Sequence, residues 1–593
     1  MQKRPIVMLS ILLSLLLALP QGALSDWVEP VPASKMDDEL WHVSYKFDDW
    51  LETGYPITTV ASDQRDPVME YFQGKLWVLW EGPLVLNIVN PPTTSYIGKL
   101  YMRSYSDWNK TVIWGDYIDV TPNAYYTDHA NQKGQLITYK DRLYLFWMSR
   151  DRNQKPIMSP PDRLDIMMRT YDGNELNELT PPEILGRQGS FGDWGQDENP
   201  RPVIYKDKLY VLWSRKDLST GTGDILYRDF DGTNWSDINV LSKFPNNDTN
   251  NSFPVPAVWE DRLYVLWQRA QNNTKYMETV CSYTTDGHSW SPPKPLSKPI
   301  PTSSMIFDTT PNLATYHNPI TNKEELHAFW RAQGPEITQT GLNQFGIVSR
   351  TWDGANWSPT RELSPAGDSG DDTQPYGVDD QQGQLHIFWA TSNDSNKDGT
   401  DHDIVQMTYD GNLYSAPTLV SRHNDTDRAF MYDNAWWNAG DDLNPVAKIY
   451  PNQWGDPRLF ATWWTFDYIT GCCYDQPDHP HPEIVLKLVL DADHDHDGVP
   501  DHLDACPTDP KDWKDSDGDG VCDNKDWKPF DPTIWEKPAS TSDNGPQGNP
   551  LPVYLMVSVL IILGVALMAY PVDKKRPRPR KKVAPSVAKS KEE

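Results

Sequence analysis

Seven short apolar runs that end in tryptophan recur along this chain of 593 residues, and no other feature restricts its fold so strongly. The clearest copies are Gly74-Lys75-Leu76-Trp77-Val78-Leu79-Trp80, Asp141-Arg142-Leu143-Tyr144-Leu145-Phe146-Trp147, Asp207-Lys208-Leu209-Tyr210-Val211-Leu212-Trp213 and Asp261-Arg262-Leu263-Tyr264-Val265-Leu266-Trp267. Weaker copies end at Trp330, Trp389 and Trp463. The mean period is about 64 residues, well above the length of one hairpin. Each run follows another, such as Pro202-Val203-Ile204-Tyr205, across Lys-Asp or Gln-Gly, which suit a tight hairpin turn.

A second element follows each pair. Asp224 to Gly232 leads into Trp235-Ser236, and Leu241-Ser242 ends the unit. Asp286-Gly287 with Trp290-Ser291, Trp352-Asp353-Gly354 with Trp357-Ser358, and Tyr409-Asp410-Gly411 with Tyr414-Ser415 repeat the pattern. Asp-Gly between alternating runs marks a turn, because glycine accepts the positive φ. Each unit therefore holds about four strands, and four-stranded units at a fixed period predict an all-β, seven-bladed β-propeller over residues 41–490. The segment Trp41 to Val60 has the form of an outer half-unit, and the last repeat, ending with Ile484 to Leu490, is incomplete. An N-terminal strand is expected to complete that repeat and close the ring.

The composition agrees. Aromatic residues make up 12% of the chain, with 26 Trp and 51 Pro, which favours β-structure over helical bundles or disorder. The formal charge of −29 argues against a nucleic-acid backbone as partner and favours cations or other positively charged partners.

The two ends predict the compartment. Lys3 and Arg4, the apolar run Ile6 to Leu19 and Ala23-Leu24-Ser25 form a secretory signal over residues 1–25, followed by a lead-in at 26–40. Residues 551–570 carry no charge and are long enough to cross a bilayer as one helix. Lys574, Lys575, Arg576, Arg578, Arg580, Lys581 and Lys582 follow, so residues 571–593 are expected on the cytoplasmic side and the N-terminal part outside. A sorting signal removed during surface processing has the same form. Residues 531–550 read as a flexible linker.

Residues 491–530 carry the sharpest chemistry. Asp493, Asp495, Asp497, Asp501 and Asp504 bracket Gly498, and Asp515, Asp517, Asp519, Asp523 and Asp526 bracket Gly520. Alternating carboxylates around a glycine, with backbone carbonyls from Val499 and Val521, suit a hard cation that takes six to eight oxygens, which points to Ca²⁺. Asp-x-Asp-x-Asp-Gly-x-x-Asp-x-x-Asp-x-Cys-Pro, unbroken from Asp493 to Pro507, resembles thrombospondin type 3 repeats. The second copy departs by placing its cysteine two residues after the glycine. The resemblance covers about 40 residues and implies a calcium-dependent stalk and a bridge between Cys506 and Cys522. For Cys281, Cys472 and Cys473, a vicinal bridge and a bridge to Cys281 both stay open. Asp478, His479, His481 and Glu483 form a lesser metal candidate beside a surface-loop reading.

Two family likenesses bear on the ring. Arg65-Asp66-Pro67-Val68 before Gly74-Lys75-Leu76 is similar to the first strand pair of sialidases, where an arginine precedes proline. The Asp-Gly-x-x-Trp turns resemble the Asp-boxes of sialidase-like propellers with one residue fewer, and in spacing the turns of sugar-binding propeller lectins. A sialidase mechanism implies three arginines, a Tyr-Glu nucleophile and an aspartic acid. Only Arg65 and Arg201 match, and no Tyr-Glu pair is legible. No His-Glu-x-x-His or Gly-x-Ser-x-Gly motif occurs, so no catalytic residue is assigned.

An enzyme breaks ring symmetry at one site, whereas a lectin repeats its chemistry. Arg103, Arg169, Arg228 and Arg350 recur at one register, and Trp235, Trp290 and Trp357 recur after the turns. With Arg65 and Arg201 they are candidate sugar contacts, although packing between blades explains the repeated ones equally well. Polar residues also gather where inner strands begin: Asp63 to Asp66, Asp197 to Asn199, Asp371, Asp372 and Gln374, and Asp441, Asp442 and Asn444. In a propeller these converge around the central channel. The expectation is a calcium-binding, membrane-anchored recognition or adhesion protein whose propeller binds an extracellular glycan or surface protein. The alternatives are a sialidase-like glycosidase and a protein-interaction scaffold. Sequons at Asn109, Asn234, Asn356 and Asn424 permit glycosylation.

Overall fold

A computed structural model describes the strands of residues 55–490 and most of residues 491–536. Outside the described residues lie both ends (1–54 and 537–593) and the connecting segments 57–64, 83–97, 122–128, 152–163, 187–194, 302–309, 334–344, 393–401, 422–428 and 466–482, with shorter breaks elsewhere. The expected signal, apolar span, basic tail and most of the linker therefore fall outside them. So do Asp63, Gln64, Asn109, Asn424, Asp441, Cys472, Cys473, Asp478, His479, His481, Asp501 and Asp519.

The described chain is all-β, and no helix occurs among the described residues. Strands fall into antiparallel units of three to five strands at residues 65–119, 129–184, 195–240, 249–301, 312–362, 372–419 and 442–490, the last of which gains a fourth strand from Tyr55–Pro56. Within each, the chain runs from an inner strand outward, one hairpin after another. The units at 195–240 and 249–301 are joined by one parallel bridge, Gly223 to Asn250. An extra hairpin, Ala429–Tyr432 with Ala435–Asn438, precedes the last unit.

The inner strands form a closed series. Arg65–Phe72, His129–Tyr139, Gly195–Tyr205, Thr249–Trp259, Asn312–Asn318, Asp372–Asp379 and Asp442–Pro451 each touch the next, and the last touches the first. This is the arrangement of a β-propeller. The outer edge of the last sheet is formed by Tyr55–Pro56, paired with Leu486 and Val485, so chain from the N-terminal side completes the sheet that the C-terminal strand belongs to.

The core lies between sheets rather than at a single centre. The second strand of each unit is covered on both faces, so it reads as a continuous apolar run, as at Leu209 to Trp213, all buried. One cluster joins Phe146, Ile166 and Met168 to Leu209, Val211 and Trp213 of the next sheet. Others repeat this at successive seams, and the largest joins Phe388, Phe460 and Trp463 to Leu76, Val78 and Trp80, spanning the closure. Each such fully buried side chain contributes about 1.5–3 kcal/mol.

Tyrosines at the ends of inner strands latch neighbouring sheets. Tyr139 Oη donates to Asp207 O (2.7 Å), Tyr205 to Asp261 O (2.6 Å) and Tyr316 to Gly383 O (2.8 Å). At the closure Tyr450 donates to Gly74 O (3.1 Å), so the first and last units meet through the same device as the others.

Candidate functional site

Every inner strand opens with the same local irregularity. Asp66, Lys133, Asn199, Phe253, Thr310, Gln374 and Asn444 all have positive φ, between 29° and 56°. Six precede proline (Pro67, Pro200, Pro254, Pro311, Pro375, Pro445) and the seventh precedes Gly134. Pairing slips at these points, for example between Arg65 and Val68 and between Leu443 and Val446. Proline has no N–H to give the ladder, so the strand bulges there and a side chain is re-aimed. A non-glycine residue in this conformation costs on the order of 1 kcal/mol, held by the surrounding structure.

The bulged residues bond to one another around the channel mouth. Asp66 takes the Lys133 ammonium on one oxygen and the Asn444 amide on the other. Gln374 Oε1 accepts the Asn444 N–H (2.7 Å), and Thr310 Oγ1 accepts the Gln374 N–H (3.2 Å). Glu81, opposite Arg65 on the neighbouring strand, accepts the Lys133 N–H (2.7 Å) and shares a hydrogen bond with Asp66. Burial raises both carboxyls of this pair. For Asp66 the Lys133 charge and hydrogen bond, then Glu81 and Arg65, outweigh it, and the group stays below its ordinary value. For Glu81 the Asp66 charge adds to burial, and the group is pushed up to about 8. At neutral pH one carboxyl is ionised and its neighbour holds a proton.

Further along the inner strands lies a second polar set. Arg201 donates to Gln135 Oε1 (3.0 Å), and Lys448 pairs with Glu70 (2.6 Å). Tyr376 interacts electrostatically with Lys448, Arg201 and Glu70, although it comes from a different sheet from all three. Burial raises the Tyr376 hydroxyl and lowers the Arg201 guanidinium. Burial also opposes the Lys448 charge, but Glu70 more than compensates and holds it above its ordinary value. The positions equivalent to Gln135, Arg201 and Tyr376 on the other inner strands are Val68, Val255, Asn312 and Val446, so this chemistry is not repeated around the ring.

The structure brings Arg65 and Arg201 to the mouth and places the other sugar-contact candidates elsewhere. Arg169 donates to Val120 O (2.8 Å) of the preceding sheet. Arg228 spans Ser236 O (2.6 Å) of its own unit and Leu185 O (3.1 Å) of the one before. Arg350 donates to Thr360 (3.0 Å), and Arg103 to Gly115 O (2.7 Å). Trp235 stacks on Phe230 (5.0 Å), Trp290 packs edge-on to Tyr227 (5.7 Å) and Trp357 sits beside Trp352 (5.5 Å). Their faces and donors are engaged in and between sheets, which is a packing role. Asp197 is likewise structural, buried and bonded to Arg215 (2.6 and 2.7 Å). Lys133, Glu81, Glu70, Tyr376, Lys448 and Gln135 were not singled out by sequence. Counting alternate positions from each strand-opening proline would have found three of them, Glu70, Tyr376 and Lys448.

The acidic segment is folded against the last sheet. His494 Nδ1 bonds Asp456 (2.6 Å) and its ring stacks on Trp454 (4.8 Å). Carboxylate oxygens of Asp493, Asp495 and Asp497 lie within 4.8 Å of one another. One Asp495 oxygen is buried with no hydrogen-bond partner, as is one of Asp526. In the second loop Asp515 accepts the N–H groups of Gly518 and Gly520 (both 2.8 Å), whose positive φ lets the chain wrap around it. Asp523 is held by Ser516 (2.6 and 2.8 Å). Asp504 is buried and accepts the Cys506 N–H (2.6 Å); Asp517, Val499 and Val521 are partly buried. The described donors are oxygens from carboxylates and backbone, a set that fits a hard cation. Cys506 and Cys522 are disulfide-bonded across the two loops, with Cα atoms 5.9 Å apart. Cys281 is a buried thiol in the core, pushed up to about 12 by burial.

No family model matches this chain, and no curated protein matches it either. Solved structures do. The chain is similar to Trypanosoma rangeli sialidase in complex with sialic acid, at 12% identity and a TM-score of 0.38, over 62% of this chain and 57% of that one. It is similar to the alpha-L-arabinofuranosidase of Podospora anserina in complex with cellotriose (9%, TM-score 0.27, 44% and 83%). A family 117 glycoside hydrolase from Zobellia galactanivorans is a third (13%, TM-score 0.29, 42% and 73%). The match thus spans little more than half the length of the sialidase.

Proposed function

We propose that the chain is a membrane-anchored extracellular protein whose seven-bladed propeller takes a carbohydrate at the channel mouth. The observation that carries this reading is the single, unrepeated set of Asp66, Glu81, Lys133, Arg201, Tyr376, Glu70 and Lys448. Sugars are recognised by converging carboxylates, amides and cationic donors beside an aromatic ring, and a concave mouth with non-equivalent walls holds one ligand in one orientation. The repeated Arg and Trp positions, occupied by packing, do not support a lectin with one site per blade. Residues 491–530 bind Ca²⁺ through the two aspartate loops and act as a stalk, supported by the Asp493, Asp495 and Asp497 group and the buried oxygens of Asp495 and Asp526. Export and anchoring rest on the sequence of the two ends.

The Asp66–Glu81 pair favours a second reading, glycoside hydrolysis. A carboxyl that keeps its proton beside one that does not is a way to hold an acid ready at neutral pH. A glycan array and a panel of chromogenic glycosides, run with the full chain and with Arg201→Ala and Glu81→Gln, separate the readings. Glycan binding lost in Arg201→Ala supports the site. Turnover lost in Glu81→Gln with binding retained supports hydrolysis. Silence on both panels refutes the carbohydrate reading.

A further inference from the structure

Large apolar side chains left exposed are scattered singly over the ring but gathered in the stalk. Trp513, Trp527 and Trp535 are 46%, 44% and 50% exposed, and Phe530, at 83%, is the most exposed large apolar side chain among the described residues. The last three share one loop whose shape is fixed by hydrogen bonds. Trp527 N–H donates to Trp535 O (3.2 Å) and closes the neck. Inside it, Phe530 and Asp531 N–H donate to Lys528 O (2.7 and 2.9 Å), and Ile534 N–H to Asp531 O (3.0 Å). Lys528 N–H is held by Asp526 (2.7 Å), and Thr533 Oγ1 by Asp531 (2.6 Å). The loop therefore presents two tryptophans at its neck and a phenylalanine midway, with the Lys528 ammonium 5.7 Å from the Trp527 ring. A rigid loop that leaves its aromatic side chains in water is suited to being covered by something else.

We propose that the loop Trp527–Trp535 seats in the headgroup layer of the membrane in which the chain is anchored, an inference that rests on the anchored reading above. Three observations select that occupant. Tryptophan partitions into the interfacial layer, where its apolar body and its ring N–H are both satisfied, and phenylalanine beside it buries its ring at the headgroup–acyl boundary. Only residues 536–550 separate the loop from the apolar stretch at 551–570, and fifteen residues of this Pro-, Ser- and Gly-rich linker composition span about 20 Å, so in the anchored reading the loop lies close to the bilayer surface. Lys525 and Lys528 against Asp526, Asp531 and Glu536 leave the loop nearly neutral, which suits a zwitterionic surface and gives no preference for anionic lipid. Docked this way, the stalk is held at two points, by the span and by the loop, and its angle to the bilayer is fixed.

The test uses the full chain reconstituted into phosphatidylcholine nanodiscs, with a photo-crosslinking side chain introduced as Phe530→p-benzoylphenylalanine. The same probe at Ile113, exposed on the ring, is the control. The expected result is lipid adducts at position 530, none at 113, and loss of the adducts when Trp527→Ser and Trp535→Ser are added. Adducts at 530 only to protein, or none, overturn the proposal. Failure of the chain to enter nanodiscs at all refutes the anchor instead. In that case the same probe is irradiated with phosphatidylcholine vesicles, where lipid adducts sustain the docking proposal and their absence overturns it.

Discussion

Glu81 keeps its proton because burial disfavours its charge and because Asp66, beside it, already holds the negative charge that Lys133 can balance. In the unfolded chain both carboxyls titrate near their ordinary values. Between about pH 4.3 and pH 8 the folded state therefore holds a proton at Glu81 that the unfolded state has released, and the stability from that proton declines as pH rises through this window. Glu81→Gln, which copies the protonated form, is expected to flatten the alkaline decline in a series of thermal unfolding curves; a slope equal to that of the parent would show that Glu81 ionises freely. Of the residues at the mouth, Arg65 and Arg201 were legible from their position beside a strand-opening proline. Asn444 was legible as one of the polar residues where inner strands begin, but Lys448 was not, and neither pairing was, because the partners Asp66 and Glu70 lie 378 residues away and meet them only once the ring has closed. A local pattern carries no record of such a pairing.

At the scale of one element, the outer turn is where sequence said most. In Asp231-Gly232-Thr233-Asn234-Trp235 the aspartate accepts the N–H groups of Thr233 and Asn234 (2.7 and 2.8 Å), and Gly232 has φ of 99°. Asp286, Asp353 and Asp410 do the same at equivalent places, and these backbone bonds hold each carboxyl below its ordinary value. Asp-Gly thus encodes its own geometry, whereas the purpose of the following tryptophan depends on the neighbouring sheet. Gly411→Ala is expected to destabilise by about 1–2 kcal/mol, because φ is 93° and a Cβ would meet Asn318 Oδ1 at 2.5 Å. Urea unfolding measures it. Arg228→Ala, which leaves Leu185 O and Ser236 O without their donor, should lose about 1–3 kcal/mol with glycan binding unchanged. Weakened binding in a variant that remains folded would return Arg228 to the list of ligand contacts.

For the molecule as a whole, the all-β architecture and the hairpin-by-hairpin order of strands were legible, because the successive units between residues 195 and 419 carry the same Asp-Gly turn chemistry. The side chains that make one part of the mouth unlike the rest were not, since they occupy ordinary channel-wall positions. Calcium is expected to stabilise residues 491–536: at a hundredfold excess over its dissociation constant a single ion contributes about 2.7 kcal/mol, and chelation should raise amide exchange in that segment while leaving the inner strands protected. Equal exchange with and without the ion would remove calcium from the stalk. One feature of the closure bears on how such a protein behaves under load. The stalk leaves the ring directly from the strand Glu483–Leu490, which is hydrogen-bonded on one side to Pro457–Thr465 and on the other to Tyr55–Pro56. In the anchored protein proposed above, a pull from the membrane side would run along that strand, so the bonds that resist it would be strained together in shear instead of parting one after another. The clasp that completes the circle would thus also be the place where the anchored molecule withstands traction.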